Sequence, residues 1–250
     1  MLRTISQGEG GVPLLIVHGL FGSARNWGVI ARRLSAKRQV LSVDMRNHGE
    51  SFHAETNGYP EMASDLAAVI AAHGGQADVI GHSMGGKAAM MLALLHADLV
   101  ARLLVADIAP VDYAHTQMPL INAMRGLDLS RVSTRAEADA ALAAEIAEPG
   151  VRAFLLQSLN LRDGHWLLNL DILAAEMDKI IGWPAPQGQF TGPSLFLSGA
   201  GSDYVTQAHR PEIKRLFPKA RFAKIPGAGH WIHAEKPREF EAAATAFFAR

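Results

Sequence analysis

One pentapeptide, Gly81-His82-Ser83-Met84-Gly85, fits the pattern G-x-S-x-G and is a candidate for nucleophilic catalysis. The small glycines permit a sharp, strained turn that would push the Ser83 hydroxyl out at the edge of a sheet. Residues 79–80 are predicted as a strand and residues 84–96 as a helix, so the Met84 N–H at the helix start can donate to an oxyanion. The alternative is a Gly-Ser-Gly turn that only caps a helix.

A serine hydroxyl needs a neighbouring base before it can act as a nucleophile. His230 is the best candidate among the eleven histidines, because it follows the last predicted strand in the glycine-rich segment Pro226-Gly227-Ala228-Gly229-His230-Trp231. Such a loop could carry the imidazole back over the same sheet edge. His230 and His233 have a spacing that two metal ligands can use, but no third ligand has a recognisable spacing. We therefore expect neither a metal nor a cofactor.

Short apolar runs alternate with helical stretches and predict an α/β fold. The predicted strands are 14–17, 39–45, 79–80, 103–106, 194–197 and 221–225, and the helices between or after them are 24–37, 59–73, 84–96, 211–217 and 238–248. Buried strands joined by helices imply a mostly parallel sheet with helices on both faces. Helical segments follow one another from 113 to 186 without a convincing strand. We interpret 1–112 and 187–250 as the core and 113–186 as an inserted helical cap.

The composition excludes several classes of protein. The chain has 250 residues, 49% of them hydrophobic, and no cysteine, so it has no disulfide framework, no thiolate nucleophile and no cysteine zinc site. Lys plus Arg and Asp plus Glu both number 24, which gives no reason to expect a nucleic-acid partner. No apolar run has the length of a signal peptide or a membrane span. We expect a cytosolic protein that does not bind membranes.

Five sequence blocks together resemble the α/β-hydrolase superfamily, and within it the YbfF-type bacterial esterases and their mitochondrial abhydrolase relatives. The blocks occur in order along the chain: His18-Gly19-Leu20-Phe21-Gly22-Ser23, Asp44-Met45-Arg46-Asn47-His48-Gly49-Glu50-Ser51, Gly81-His82-Ser83-Met84-Gly85-Gly86-Lys87, Asp107-Ile108-Ala109-Pro110-Val111-Asp112-Tyr113 and Gly229-His230-Trp231-Ile232-His233-Ala234-Glu235-Lys236-Pro237. The resemblance implies an α/β-hydrolase fold and a serine esterase acting on small acyl esters or thioesters.

The resemblance also implies roles for individual residues. Ser83 would be the nucleophile and His230 the base. The oxyanion would be held by the N–H groups of Met84 and Leu20, with Phe21 as the alternative to Leu20.

The sequence offers two candidates for the acid that orients His230. Hydrolases of this superfamily usually carry the acid in a G-x-x-D turn after the strand that is here 195–197, but counting from Gly199 reaches Ser202. Asp203 lies one residue further on. The YbfF-type proteins have their acid at the position of Asp107, after the strand 103–106. We expect Asp107 to be the acid and keep Asp203 as the alternative.

Four side chains are candidates for substrate contacts: Phe21, His82, Trp166 and Trp231. Apolar residues of the cap could line an acyl pocket, although they could equally form the core of the cap. Lys87 is expected to hold its amine in solvent or beside an acid.

The predicted function is hydrolysis of small acyl esters through an acyl-enzyme on Ser83. A carbon–carbon hydrolase or lyase on the same scaffold is one alternative, which cationic cap residues near Ser83 would favour. The cap arginines available for this are Arg125, Arg131, Arg152 and Arg162. A small-molecule receptor with very slow turnover is the other alternative. The sequence does not indicate an oligomeric state.

Overall fold

The computed structural model describes residues 1–249, and a seven-stranded sheet lies at its centre. The strands are β1 (Thr4–Gln7), β2 (Leu14–Val17), β3 (Val40–Val43), β4 (Ala77–His82), β5 (Val100–Ala106), β6 (Leu159–Asn160), β7 (His165–Trp166), β8 (Ser194–Gly199) and β9 (Ala220–Ile225). The order in the sheet is β1-β3-β2-β4-β5-β8-β9, while β6 and β7 form a separate hairpin.

All neighbouring strands of the sheet are parallel except β1, which pairs antiparallel with β3. The carboxyl ends of the six parallel strands therefore meet at one edge, where ligands bind in open α/β sheets. The sequence analysis did not predict β1. This strand is at the sheet edge and only partly buried, so it lacks the continuous apolar run by which β2 and β3 were found.

Helices cover both faces of the sheet. They are α1 (Gly28–Leu34), α2 (Tyr59–Ala71), α3 (Met84–Leu95), α4 (Met118–Gly126), α5 (Arg135–Leu142), α6 (Pro149–Leu155), α7 (Leu170–Ala175), α8 (Met177–Ile181), α9 (Arg210–Leu216), α10 (Ile232–Glu235) and α11 (Pro237–Phe248). Successive side chains of β2 point to opposite faces of the sheet, so Leu15 and Val17 belong to the hydrophobic cluster that contains residues of α2 and α3. Leu14 and Ile16 join the cluster that contains α1 and α11. The predicted α/β architecture is confirmed.

A helical insert, comprising α4 to α8 with the β6–β7 hairpin, separates β5 from β8. Its buried residues Leu155 and Leu173 belong to the same hydrophobic cluster as Leu103 of the sheet, so the insert packs against the core. The hairpin was not predicted, because two-residue strands give no periodic signal. The last helical stretch of the insert is divided at Glu176 into α7 and α8. The domain boundaries at 113 and 186 remain a prediction.

No helix within residues 1–249 combines the length and the hydropathy that a membrane span requires.

Candidate active site

Ser83 lies in a strained turn between β4 and α3. Its φ of 54° and ψ of −123° are rare for a residue with a side chain. The turn requires glycine on both sides, because a Cβ at Gly81 would lie 2.3 Å from the carbonyl oxygen of Gly85, and a Cβ at Gly85 would lie 2.3 Å from that of His18. The G-x-S-x-G pattern is thus explained by backbone packing around a partly buried serine.

The loop after β9 brings His230 to this hydroxyl. Oγ of Ser83 donates to Nε2 of His230 at 3.1 Å. The loop is held by the Glu235 carboxylate, which accepts from the N–H groups of Gly229 and Trp231 at 2.7 and 3.2 Å. His82 holds it from the other side, because its Nε2–H donates to the His230 carbonyl at 2.9 Å. His230 is therefore positioned through its backbone as well as through its ring.

Asp107, directly after β5, accepts a hydrogen bond from Nδ1–H of His230 at 2.8 Å. The carboxylate is fully buried and also accepts from the Gly199 N–H at 3.0 Å and from the Ser202 hydroxyl at 2.5 Å. Asp107 has a positive φ of 53°, as Ser83 has a positive φ. Ser83, His230 and Asp107 consequently form one continuous hydrogen-bonded chain.

Asp203, the alternative acid, is exposed and forms no hydrogen bond with His230 in the described part of the chain. Ser202 instead occupies the turn position at which the sequence comparison expected an acid, and it supports Asp107 by donating to it. This supporting role of Ser202 was not predicted from the sequence. Its fixed offset from Gly199 was the signal that could have found it.

Tyr204 is a second residue that the sequence analysis missed. Its ring stacks on the His230 imidazole with a centroid separation of 3.9 Å and an interplanar angle of 19°. This contact restricts rotation of the imidazole, which the hydrogen bonds to Ser83 and Asp107 also orient. A tyrosine two residues after Ser202 was the only hint in the sequence.

The backbone N–H groups of Leu20 and Met84 are the candidate oxyanion donors. Within residues 1–249 neither donates to another group, because Met84 begins α3 and Leu20 lies in the tight turn closed by Gly22 N–H and Gly19 carbonyl. The Phe21 N–H is already used, since it donates to Nε2 of His48 at 3.2 Å. The geometry thus favours Leu20 over Phe21 as the second donor.

Buried, neutral histidines support this turn. His48 donates through Nδ1 to the Arg46 carbonyl at 2.8 Å, which leaves Nε2 free to accept from Phe21. His18 donates to the Gly19 carbonyl and accepts from the Met45 N–H. Burial lowers the pKa of His18 to about 4 and that of His48 to about 3. Both arrangements need a neutral ring, because an imidazolium has no acceptor nitrogen.

Mild acid is expected to destabilise the fold through these histidines and His233. Burial lowers the pKa of His233 to about 3, and all three values lie below the ordinary 6.5. The unfolded chain therefore binds more protons below about pH 6.5, and stability present above that pH is lost as the pH falls. Between about pH 6.5 and 5, where ordinary carboxyl groups remain ionised, each histidine should lower the free energy of unfolding by about 2 kcal/mol.

Urea unfolding measured at a series of pH values tests this expectation. His48→Gln should reduce the dependence on pH, whereas His53→Gln, which changes an exposed histidine, should leave it as in the wild type. A free energy of unfolding that stays constant from about pH 7 to 5 would contradict the prediction.

A cavity of about 280 Å³ opens beside Ser83 between the sheet edge and the insert. Phe21, His82 and Trp231 line it, as do Leu20 and Met84. Apolar lining with a few polar groups is typical of sites for small organic molecules.

Two predictions about side chains near the cavity are corrected. Trp166 is not among the lining residues, because its indole N–H donates to the Met124 carbonyl at 2.9 Å and its ring packs within the insert. Lys87 is not exposed, and within residues 1–249 it forms no ion pair with a carboxylate, although Asp112 lies nearby. It is buried in the cavity wall and donates to two backbone carbonyls.

The four cap arginines that would have favoured a lyase do not line the cavity described here. Arg125 pairs with Asp171, and Arg152 pairs with Asp139. Lys87 is the one Lys or Arg residue in the lining formed by residues 1–249. Residues 1–249 therefore place no arginine in the lining that could hold a carboxylated substrate.

Comparison with known proteins agrees with this geometry. Residues 14–243 match the alpha/beta hydrolase family. The chain belongs to this family. A matching family member with a solved structure, described as a marine microorganism esterase, is 39% identical and superposes with a TM-score of 0.94 over 98% of both chains.

Relatives within the α/β-hydrolase family share most of their length with this chain. Esterase YbfF of Escherichia coli is 42% identical over 90% of this chain and 88% of its own. The mouse protein named sn-1-specific diacylglycerol lipase ABHD11 is 41% identical over 97% of this chain and 83% of its own. These matches confirm the predicted α/β-hydrolase fold and the prediction of a carboxylic ester hydrolase.

Proposed function

We propose that this α/β-hydrolase cleaves small acyl esters by two-step acyl transfer through Ser83. The observation that carries the proposal is the hydrogen-bonded chain from Ser83 through His230 to Asp107, with distances of 3.1 and 2.8 Å, at the wall of an apolar cavity. A nucleophile, a base and a group that orients the base are the components that acyl transfer requires.

In the first step, Nε2 of His230 takes the proton from Oγ of Ser83 as Oγ attacks the ester carbonyl. The carbonyl oxygen becomes negative, and the N–H groups of Leu20 and Met84 stabilise it. Asp107 holds His230 in the tautomer that presents an unprotonated Nε2 and stabilises the imidazolium that forms. The imidazolium then donates its proton to the departing alcohol oxygen, which leaves the acyl group on Ser83.

In the second step, water replaces the alcohol. His230 takes a proton from the water as its oxygen attacks the acyl-enzyme, and the same two N–H groups stabilise the second oxyanion. The proton returns to Ser83 as the carboxylic acid leaves. The chain's own residues supply every proton transfer, so the proposed reaction uses neither a metal nor a cofactor.

The cavity supports small substrates. Its volume of about 280 Å³ is near the lower end of the usual range for sites that enclose drug-sized molecules. A short acyl chain fits this space, whereas a diacylglycerol with long acyl chains would extend beyond it. Diacylglycerol is the substrate in the name of the mouse relative. Acyl thioesters of similar size would follow the same two steps.

Detection of the acyl-enzyme tests the proposal. The protein is mixed with p-nitrophenyl butyrate, quenched with acid during turnover and analysed by intact mass and by peptide mapping. One butyryl group on the peptide containing Ser83 is expected, together with release of p-nitrophenol. Turnover with the adduct on another residue would contradict the mechanism, and tight ester binding without adduct or turnover would favour a receptor.

A further inference from the structure

The C-terminal end of α8, the last helix of the insert, is held by side chains from α2 and α3. The final carbonyls of a helix have no partners within the helix. Here the Ile180 carbonyl accepts from the Tyr59 hydroxyl, and the carbonyls of Ile181 and Gly182 accept from Nζ of Lys87 at 2.8 and 2.7 Å. A cation at this end also interacts favourably with the helix dipole.

Lys87 is an unusual residue for this position, because its side chain is only 1% exposed. Within residues 1–249, the two carbonyls are the only hydrogen-bond acceptors of its ammonium group, which also lies 4.8 Å from the centre of the Tyr113 ring. Burial lowers the pKa of Lys87 to about 7, and the nearby Asp112 carboxylate opposes this effect. An apolar side chain would fill the same space without the cost of burying an amine.

The two segments that connect the insert to the sheet are joined at the same point. The Tyr113 N–H, on the segment leaving β5, donates to the Ile181 carbonyl at 3.1 Å. The Trp183 N–H, on the segment returning towards β8, donates to the Asp112 carboxylate at 2.5 Å. Lys87 links this junction to α3, about one helical turn after Ser83.

The junction forms one wall of the cavity, and its lining residues there are Tyr59, Lys87, Tyr113, Ile180 and Ile181. We propose that Lys87 is a specificity-determining residue that fixes the distance from this wall to Ser83 and thereby limits the length of the substrate chain. The inference deepens the proposed function and rests on it. Lys87 acts here through the wall and takes no part in proton transfer.

Lys87→Met tests the inference, because methionine retains much of the apolar stem but has no group that can donate to Ile181 and Gly182. Hydrolysis is measured with p-nitrophenyl esters of increasing acyl length and with butyrate esters of increasing alcohol length. In one of the two series, the ratio of kcat/KM for an eight-carbon chain to that for a four-carbon chain should rise about tenfold or more. The series that responds identifies the half of the substrate that lies against the wall.

Lys179→Met is the matched control. Lys179 lies on α8 and pairs with Glu176 at the surface, so the change removes the same charge without touching the junction. Its chain-length profile should equal that of the wild type.

Gly182→Ala provides a second route to the same result. A Cβ at Gly182 would lie 2.7 Å from the Asp178 carbonyl oxygen, so the segment must shift while Lys87 is unchanged. The chain-length profile should depart from that of the wild type, and this variant decides the question if Lys87→Met does not fold. If the folded variants keep the chain-length profile of the wild type, the inference is overturned but the proposed function is not. If the wild type hydrolyses none of the esters, the proposed function is refuted.

Discussion

Ser83→Ala is expected to lower kcat for p-nitrophenyl butyrate by about 10⁴-fold or more. The change removes the Oγ that forms the acyl bond and that donates to His230 at 3.1 Å. The Leu20 and Met84 N–H groups and the cavity remain, so binding of the ester should be affected much less than turnover. Initial rates at saturating ester, with protein concentrations matched, measure the effect.

Ser42→Ala serves as the control for this variant. Ser42 is a buried serine of β3 that does not line the cavity, so its removal changes a serine of the core and should leave kcat near the wild-type value. Circular dichroism of both variants checks that they fold. Residual hydrolysis close to wild type in a folded Ser83→Ala protein would contradict the assignment of the nucleophile.

Asp107→Asn is expected to lower kcat by about 10³- to 10⁴-fold. An asparagine amide can donate to Nδ1 of His230, which would place the ring proton on Nε2 and prevent it from accepting the proton of Ser83. The carboxylate charge that stabilises the imidazolium is also lost. The Gly199 N–H donates to Oδ1 and would retain an oxygen acceptor. The Ser202 hydroxyl, which now donates to the same Oδ2 as His230, would accept from the amide NH2 instead, so the fold should survive.

Asp203→Asn is the matched comparison, because it makes the same chemical change four residues after Gly199 on an exposed turn. We expect kcat to change by about twofold at most. The two variants are assayed side by side with p-nitrophenyl butyrate. A larger loss in Asp203→Asn than in Asp107→Asn would show that Asp203 orients the base.

Much of the fold was predictable because its strands are buried on both faces. Runs such as Leu14-Leu15-Ile16-Val17 and Leu103-Leu104-Val105-Ala106 are apolar throughout, which is typical of parallel strands covered by helices. The edge strand β1 has no such signal because it is only partly buried, and the strands of the β6–β7 hairpin have none because each has two residues. Their existence depends on tertiary pairing.

The candidate site was predictable where the local backbone conformation requires particular residue types. The glycines around Ser83 and those before His230 are examples. The contacts of Ser202 and Tyr204 with Asp107 and His230 depend on how distant segments meet. Trp166 was wrongly predicted to contact the substrate. A large apolar ring suits either a pocket or a packed interior, and its position in the sequence does not distinguish the two.

The position of Asp107 has a consequence for how this enzyme could change its substrate. Asp107, the proposed acid, directly follows the strand from which the insert departs, and Tyr113 on the departing segment donates through its hydroxyl to the Tyr204 carbonyl beside His230. An acid placed after β8 would leave the insert free to be exchanged as a separate module. Here, replacing the insert would remove the contact from Tyr113 to Tyr204, so we expect new specificity to arise more readily through single substitutions in the cavity wall than through exchange of the whole insert.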